Sequence, residues 1–252
     1  MNKSLIKDKV VIVTGASKGI GLATSLLLVE KGAQVILAAR NKEALEKACD
    51  LIEAKSGSCI PIPTDVRQEN EVKSLIAQVV DRYGRIDVLI NNAGVLVYGP
   101  MVSTTSADWD KVIDTNLKGA FLCSREVLSI MLKQGHGQII NLASGAGKGG
   151  FPNLTVYCAS KFGLVGLTEA LSQEVVATNI KIAYLCPGYV DTEMLSLFPR
   201  DFLKDISPVR PKEVADQILR IILNSELTEG RKRFLKSLIK KGVQWLTWRK
   251  LG

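Results

Sequence analysis

Short unbroken runs of branched apolar residues alternate along this chain with longer stretches in which apolar residues return every three or four positions. The runs at Lys9 to Val13, Gln34 to Ala39, Ser58 to Pro63, Ile86 to Ile90, Gln138 to Leu142 and Lys181 to Cys186 read as strands. The periodic stretches at Ile20 to Val29, Lys42 to Lys55, Glu69 to Tyr83, Ser106 to Lys133, Val156 to Thr178 and Pro211 to Leu223 read as helices. Val35-Ile36-Leu37 and Val88-Leu89-Ile90 lack the apolar and polar alternation of a strand with one wet face, so both faces of the sheet are expected to be covered. Strand and helix in strict succession predict a three-layer α/β domain with a central parallel sheet and helices on both faces. This pattern fills residues 1–228. Beyond it, Phe234, Leu235, Leu238, Ile239, Trp245 and Leu246 suggest a tail over 229–252 of one or two short amphipathic helices, broken near Gly242.

With 252 residues, 46% of them hydrophobic, the chain can bury one sizeable core, and no Gly/Ser/Pro-rich linker divides it. The polar start, with Lys3, Lys7 and Lys9, lacks the apolar segment of a secretory signal, and no run of about 18 apolar residues follows, so a cytoplasmic protein is expected. Cys49, Cys59, Cys123, Cys158 and Cys186 show no close pairing and read as structural thiols of a reducing compartment. His136 is the sole histidine, which argues against a histidine-centred triad and against a metal site.

The net charge of +8 is segregated. Residues 231–252 hold eight basic and no acidic side chains, which accounts for all of it and leaves the first 230 residues balanced. A body without net charge offers no track for nucleic acid. The tail is expected to pack on the body or on a partner subunit, the alternative being peripheral contact with an anionic membrane surface.

Gly15-Ala16-Ser17-Lys18-Gly19-Ile20-Gly21 joins the first strand to the first helix. Gly15 permits the tight turn, Gly19 lets backbone approach a pyrophosphate and Gly21 lets the helix meet the strand, while free N–H groups of the helix start face the anion. A Rossmann-type dinucleotide site is predicted. NAD sites usually place a carboxylate at the end of the second strand, but here that place reads Ala38-Ala39-Arg40. Arg40 and Lys18 instead offer charged donors to a 2′-phosphate, so NADP(H) is expected in preference to NAD(H).

Tyr157 and Lys161 lie four apart on one helix face. A phenol titrates near ~10 when unperturbed, and an ammonium beside it is expected to lower that value and ready it for proton transfer. Together these motifs resemble the short-chain dehydrogenase/reductase family over about residues 7 to 224, in particular its NADP(H)-preferring carbonyl reductases. The resemblance implies Asn116, Ser144, Tyr157 and Lys161 as the catalytic tetrad: Asn116 holds a relay water, Ser144 orients the substrate oxygen, Tyr157 is the acid-base, and Lys161 binds nicotinamide ribose and lowers the tyrosine's pKa. It implies cofactor contacts from Asp65 and Val66 to adenine, from Asn92, Ala93 and Gly94 after the fourth strand, and from Pro187, Gly188, Val190 and Thr192 after the sixth. It also implies a homodimer through the helices at Ser106 to Lys133 and Val156 to Thr178. The chain departs from the family after about Glu229, which puts the usual seventh strand and tetramer in doubt.

The implied reaction is reduction of a ketone or aldehyde, with alcohol or hydroxysteroid oxidation as the alternative and a non-catalytic cofactor-binding or membrane-associated protein as the rival of another class. Leu96 to Tyr98, Gly145 to Leu154 and Tyr189 to Leu203 are expected to select the substrate, and their apolar character favours an apolar small molecule.

Overall fold

The computed structural model describes residues 6–54, 58–204 and 206–223. In it, six parallel strands form one sheet in the order β3-β2-β1-β4-β5-β6: β1 (Val10–Thr14), β2 (Gln34–Ala39), β3 (Cys59–Pro63), β4 (Val88–Asn91), β5 (Gly137–Leu142) and β6 (Ile180–Leu185). The helices are α1 (Gly19–Glu30), α2 (Lys42–Glu53), α3 (Glu69–Tyr83), α4 (Ser106–Ile113), α5 (Gly119–Gln134), α6 (Thr155–Glu174), α7 (Arg200–Leu203) and α8 (Pro211–Leu223). The strand period of two explains the three layers. Val11, Val13, Val35 and Leu37 pack on one face with Leu28, Leu45 and Ile218. Their neighbours Val10, Ile12 and Ile36 pack on the other with Leu75, Val127 and Ile139.

The order reverses at β1, whose neighbours are β2 on one side and β4 on the other. Crossover helices therefore leave to opposite faces at this point, and a crevice opens at the carboxyl ends of β1 and β4, where open α/β sheets take ligands. This is the Rossmann-type architecture the periodicity predicts.

The long helix expected over Ser106 to Lys133 is broken. Thr105 and Asp108 form a capping box at the start of α4. Asp114–Lys118 is then a π turn leading into α5, and such insertions frequently mark functional sites. The helix expected to reach Thr178 stops at Glu174, where Thr178 instead turns the chain by accepting the Ile180 amide at 3.1 Å. The ends expected at Lys55 and the tail over 229–252 lie outside the described residues, as does any further strand there. Among the described residues, no helix is long and apolar enough to cross a membrane.

One cysteine expectation is corrected. Cys49 of α2 and Cys59 of β3 form a disulfide, their Cα atoms 6.1 Å apart, because α2 packs back beside the strand that follows it. Ten residues of separation give no paired-cysteine motif, so spacing did not reveal it. Cys123 and Cys158 are free and buried, and Cys186 is free and half-buried.

At the opposite end of the sheet from the crevice, the buried carboxylate of Asp87 accepts the Val10 amide at 2.8 Å and the Arg85 Nε at 3.0 Å, with Lys9 at 4.0 Å. Burial alone would raise its pKa, but these hydrogen bonds and charges outweigh it and hold the carboxyl below the usual range. A group depressed in this way contributes stability above its unfolded value, near ~4, and loses it as pH falls through the folded value. Asp87→Asn should cost about 1–3 kcal/mol in urea unfolding at pH 7, and its deficit against wild type should shrink below pH ~4.

Candidate active site

The carboxyl ends of β1, β4, β5 and β6 bring the predicted segments together. After β1, Gly15 and Gly19 adopt positive φ of 64° and 56°. A Cβ on Gly15 would stand 2.8 Å from Ala93 Cα, and one on Gly21 would stand 2.3 Å from the Gly15 carbonyl oxygen, so the turn closes on itself and on the β4 loop without room for side chains. Lys18 precedes α1 in extended conformation, no side chain caps that helix, and its first turn holds no acid. Such a start favours an anion. Ser17 is half-buried in the turn, and Ile20 reaches the neighbouring cavity.

Asn92 holds this turn instead of pointing away from it. Its Nδ2 donates to the carbonyl oxygens of Thr14 at 2.8 Å and Gly15 at 3.1 Å, while Thr14 Oγ1 accepts the amides of Asn92 and Ala93, each at 3.0 Å. Next to it, the Asn91 amide donates to Ser124 Oγ at 2.9 Å and to Asn141 Oδ1 at 2.8 Å, and Asn141 donates to Thr168 Oγ1 at 2.8 Å. This buried chain ties β4 to β5, α5 and α6. Thr14 and Asn141 lie outside the expected set, because only the fold brings them to these partners.

Arg40 is exposed at the end of β2, and its charge reaches Asp65. The Asp65 carboxylate is held by Arg67, with Nη2 at 2.6 Å and Nε at 3.0 Å. Burial would raise its pKa, but the hydrogen bonds and charge of Arg67 prevail and lower it. Val66 is buried against Gly119, where a Cβ would lie 2.6 Å from its Cγ2, so its side chain serves the core. Arg67 was not foreseen; only its position two residues after Asp65 signals the pairing.

Tyr157 and Lys161 occupy the first turns of α6, both almost wholly buried. Lys161 Nζ donates to the Leu142 carbonyl oxygen at 2.7 Å and lies 5.7 Å from the centre of the Tyr157 ring. A Cβ on Gly94 would be 3.7 Å from Lys161 Nζ and 3.5 Å from Asn116 Oδ1, which places Gly94 between them. Asn116 sits in the π turn. Its Oδ1 accepts the Val95 amide at 2.8 Å, and its Nδ2 donates to the Val95 carbonyl oxygen at 2.9 Å and to Ser160 Oγ at 3.0 Å. The widened turn thus aims this amide at the β4 loop and α6 together.

Ser144 follows β5; its hydroxyl accepts the Ala146 amide at 3.2 Å, and it lines the same cavity as Tyr157. The Gly145 amide donates to the Pro187 carbonyl oxygen at 3.0 Å, joining the serine loop to the segment after β6. There Gly188 is exposed, Val190 is buried and bridged to Val209, and Thr192 Oγ1 donates to the Val190 carbonyl oxygen at 3.3 Å.

Burial dominates the electrostatics of the pair. It pushes the Tyr157 phenol up to about 12, against the opposing pull of the nearby Ser144 hydroxyl, and it pushes the Lys161 ammonium down to about 8. The expected lowering of the phenol by its lysine is not what the chain alone produces, because the ammonium is itself desolvated.

A cavity of about 150 Å³ adjoins Ser144 and Tyr157. Leu96, Phe151, Leu154, Tyr189, Leu195 and Phe198 wall it, so each of the three segments expected to select substrate contributes. Phe198 anchors this wall, its ring 5.4 Å from that of Tyr98 and 5.9 Å from that of Tyr189.

A doubly covered parallel sheet, a glycine turn at its switch point and a buried tyrosine and lysine beside an apolar cavity define an oxidoreductase that works with a nicotinamide cofactor. The short chain dehydrogenase family matches residues 9–201, and the chain belongs to that family. It is 38% identical over 221 residues to the 3-oxoacyl-[acyl-carrier-protein] reductase FabG of Thermotoga maritima, covering 85% of this chain and 90% of that one. It is 36% identical over 238 residues to the ketoacyl reductase HetN of a Nostoc species, covering 93% and 83%. An actinorhodin polyketide ketoreductase crystallised with NADPH superposes with a TM-score of 0.81 at 34% identity, covering 86% of this chain and 91% of that one.

Between about 8 and the lysine's ordinary 10.5, the unfolded chain carries a proton on Lys161 that the folded chain does not, so this residue makes stability rise with pH across that window. The stability advantage of Lys161→Met over wild type should therefore fall by up to about 3 kcal/mol between pH 7 and pH 10.5 in chemical denaturation. A difference that stays flat with pH would contradict the burial assigned to the amine.

Proposed function

We propose that this protein is an NADP(H)-dependent reductase that converts the ketone or aldehyde of a largely apolar substrate to the alcohol, with Tyr157 as proton donor. The reading rests on one observation above all: Tyr157 and Ser144 line the same apolar cavity, with the buried Lys161 amine 5.7 Å from the centre of the Tyr157 ring. The cradle fits a dinucleotide, since Gly15 and Gly21 leave no room for side chains and the uncapped start of α1 offers its amides to a pyrophosphate. The residues to hold it are those of the glycine turn, Arg40, Asp65, the loop of Asn92 to Gly94, Lys161 and the segment of Pro187 to Thr192. The bound nicotinamide supplies the hydride.

The chain's own groups do the rest. Ser144 and Tyr157 orient the carbonyl oxygen by hydrogen bonding, and a phenol that burial keeps protonated at neutral pH has a proton to give as charge develops on that oxygen. Lys161 is charged below about 8 and stands ready to favour the phenolate that remains. Asn116 holds the β4 loop against α6 and so keeps Gly94 beside the amine. The apolar wall excludes water from the reacting carbon. Arg40, with Lys18, supports the choice of NADP(H), and the names of the relatives support an oxoacyl ketone as the first substrate class to try.

An apolar groove between α5 and α6, walled by Phe121, Leu128, Leu132, Leu167 and Leu171, supports the homodimer that the family resemblance implies. The basic tail supports a peripheral contact with anionic membranes through its segregated charge.

The test is initial-rate oxidation of NADPH and NADH over aliphatic, cyclic, steroidal and 3-oxoacyl ketones. Tyr157→Phe should lower kcat at least a hundredfold on the best ketone, and kcat/KM should favour NADPH. Retained activity in Tyr157→Phe would remove the proton donor from this account, and equal or better use of NADH would remove the cofactor assignment.

A further inference from the structure

Lys18, one of the two bases expected at the cofactor's 2′-phosphate, is engaged in this structure. Its Nζ donates to the Glu193 carboxylate, 175 residues further on in the segment after β6. Both side chains are largely exposed, 67% for the lysine and 74% for the glutamate, so the pair closes over the surface and is open to an incoming anion. The two loops touch beneath it: a Cβ on Gly19 would come 3.2 Å from Thr192 Cγ2. Arg40, by contrast, forms no ion pair with a carboxylate among the described residues. The 3-10 turn Glu193–Leu197 that starts at this glutamate also supplies Met194 and Leu195 to the cavity beside Tyr157.

We propose that Glu193 is a specificity-determining residue that tempers the preference for NADP(H) by competing with the 2′-phosphate for Lys18. The inference rests on the NADP(H) reading above and deepens it. A lysine is a flexible point charge that pairs with one anion or the other, and the phosphate must take it from the glutamate. NADH has a hydroxyl in place of the phosphate, so its binding leaves the Lys18 to Glu193 pair intact. Glu193 therefore acts on one cofactor and not on the other.

The experiment is calorimetric titration of the cofactor-free protein with NADPH, NADH and adenosine 2′,5′-bisphosphate, none of which requires turnover. Glu193→Gln should tighten NADPH and the bisphosphate about three- to fivefold at low salt and leave NADH within twofold, while 0.5 M salt should shrink the gain. In a Lys18→Ala background, the same substitution should have no effect on either phosphate ligand. Glu193→Asp should bind NADPH as wild type does, which separates the charge from the fold of the turn. Equal changes for NADPH and NADH, or an effect of Glu193→Gln that survives in Lys18→Ala, would overturn the proposal. The wild-type ratio of the two dissociation constants bears on the NADP(H) reading alone, whereas the change in that ratio bears on Glu193.

Discussion

Burial of the Tyr157 and Lys161 side chains is the constraint from which the rest of the site follows. An ammonium out of water needs acceptors and tolerates no misfit. Here the Leu142 carbonyl oxygen at the end of β5 receives it, and glycines at 94 and 147 let the neighbouring loops close on it and on α6. At Gly147 a Cβ would stand 2.7 Å from the Lys161 carbonyl oxygen, so the serine loop lies directly against the helix that carries the pair. The same burial sets the protonation of both groups. The phenol is kept neutral, and the amine, still charged at neutral pH, is brought down to about 8.

This arrangement is held from three sides by polar links between elements far apart in sequence. Asn92 and Thr14 lock the glycine turn to the β4 loop, Asn91 and Asn141 lock β4 to β5, and Asn116 locks that loop to α6. Each link is buried or half-buried and hydrogen-bonded, so each loses more by being broken than it gains by being made. The result is a rigid floor beneath the crevice, while the wall formed by Met194, Leu195 and Phe198 comes from a short turn tied down at its outer end by an exposed ion pair. In the proposed reaction, the linked part would position the chemistry, and the turn after β6 would meet cofactor and substrate.

The order of strands and helices was legible because strands buried on both faces and amphipathic helices leave opposite periodicities in sequence. The six strands and most helices fall within a few residues of the expected bounds. Less legible were features decided by tertiary contact. The π turn at Asp114–Lys118 shows no break in apolar period, since it arises from what Asn116 must reach. The disulfide of Cys49 and Cys59 depends on α2 folding back beside β3. Arg67 and Glu193 carry no motif, yet they occupy the charged groups expected to meet the cofactor. The spacing of Tyr157 and Lys161 points to the pair only together with the family resemblance, and it says nothing of the direction of the phenol's shift, because a residue count carries no information on desolvation.

Burial, ahead of the neighbouring charge, governs the phenol in the cofactor-free protein. The most direct measurement is a carbon NMR titration of protein labelled at tyrosine Cζ, with Tyr157→Phe used to assign the resonance. Tyr157 should remain protonated beyond pH 10 and approach ionisation only toward about 12. A midpoint at or below the ordinary tyrosine value near ~10 would show that charge prevails over burial, and would contradict the account.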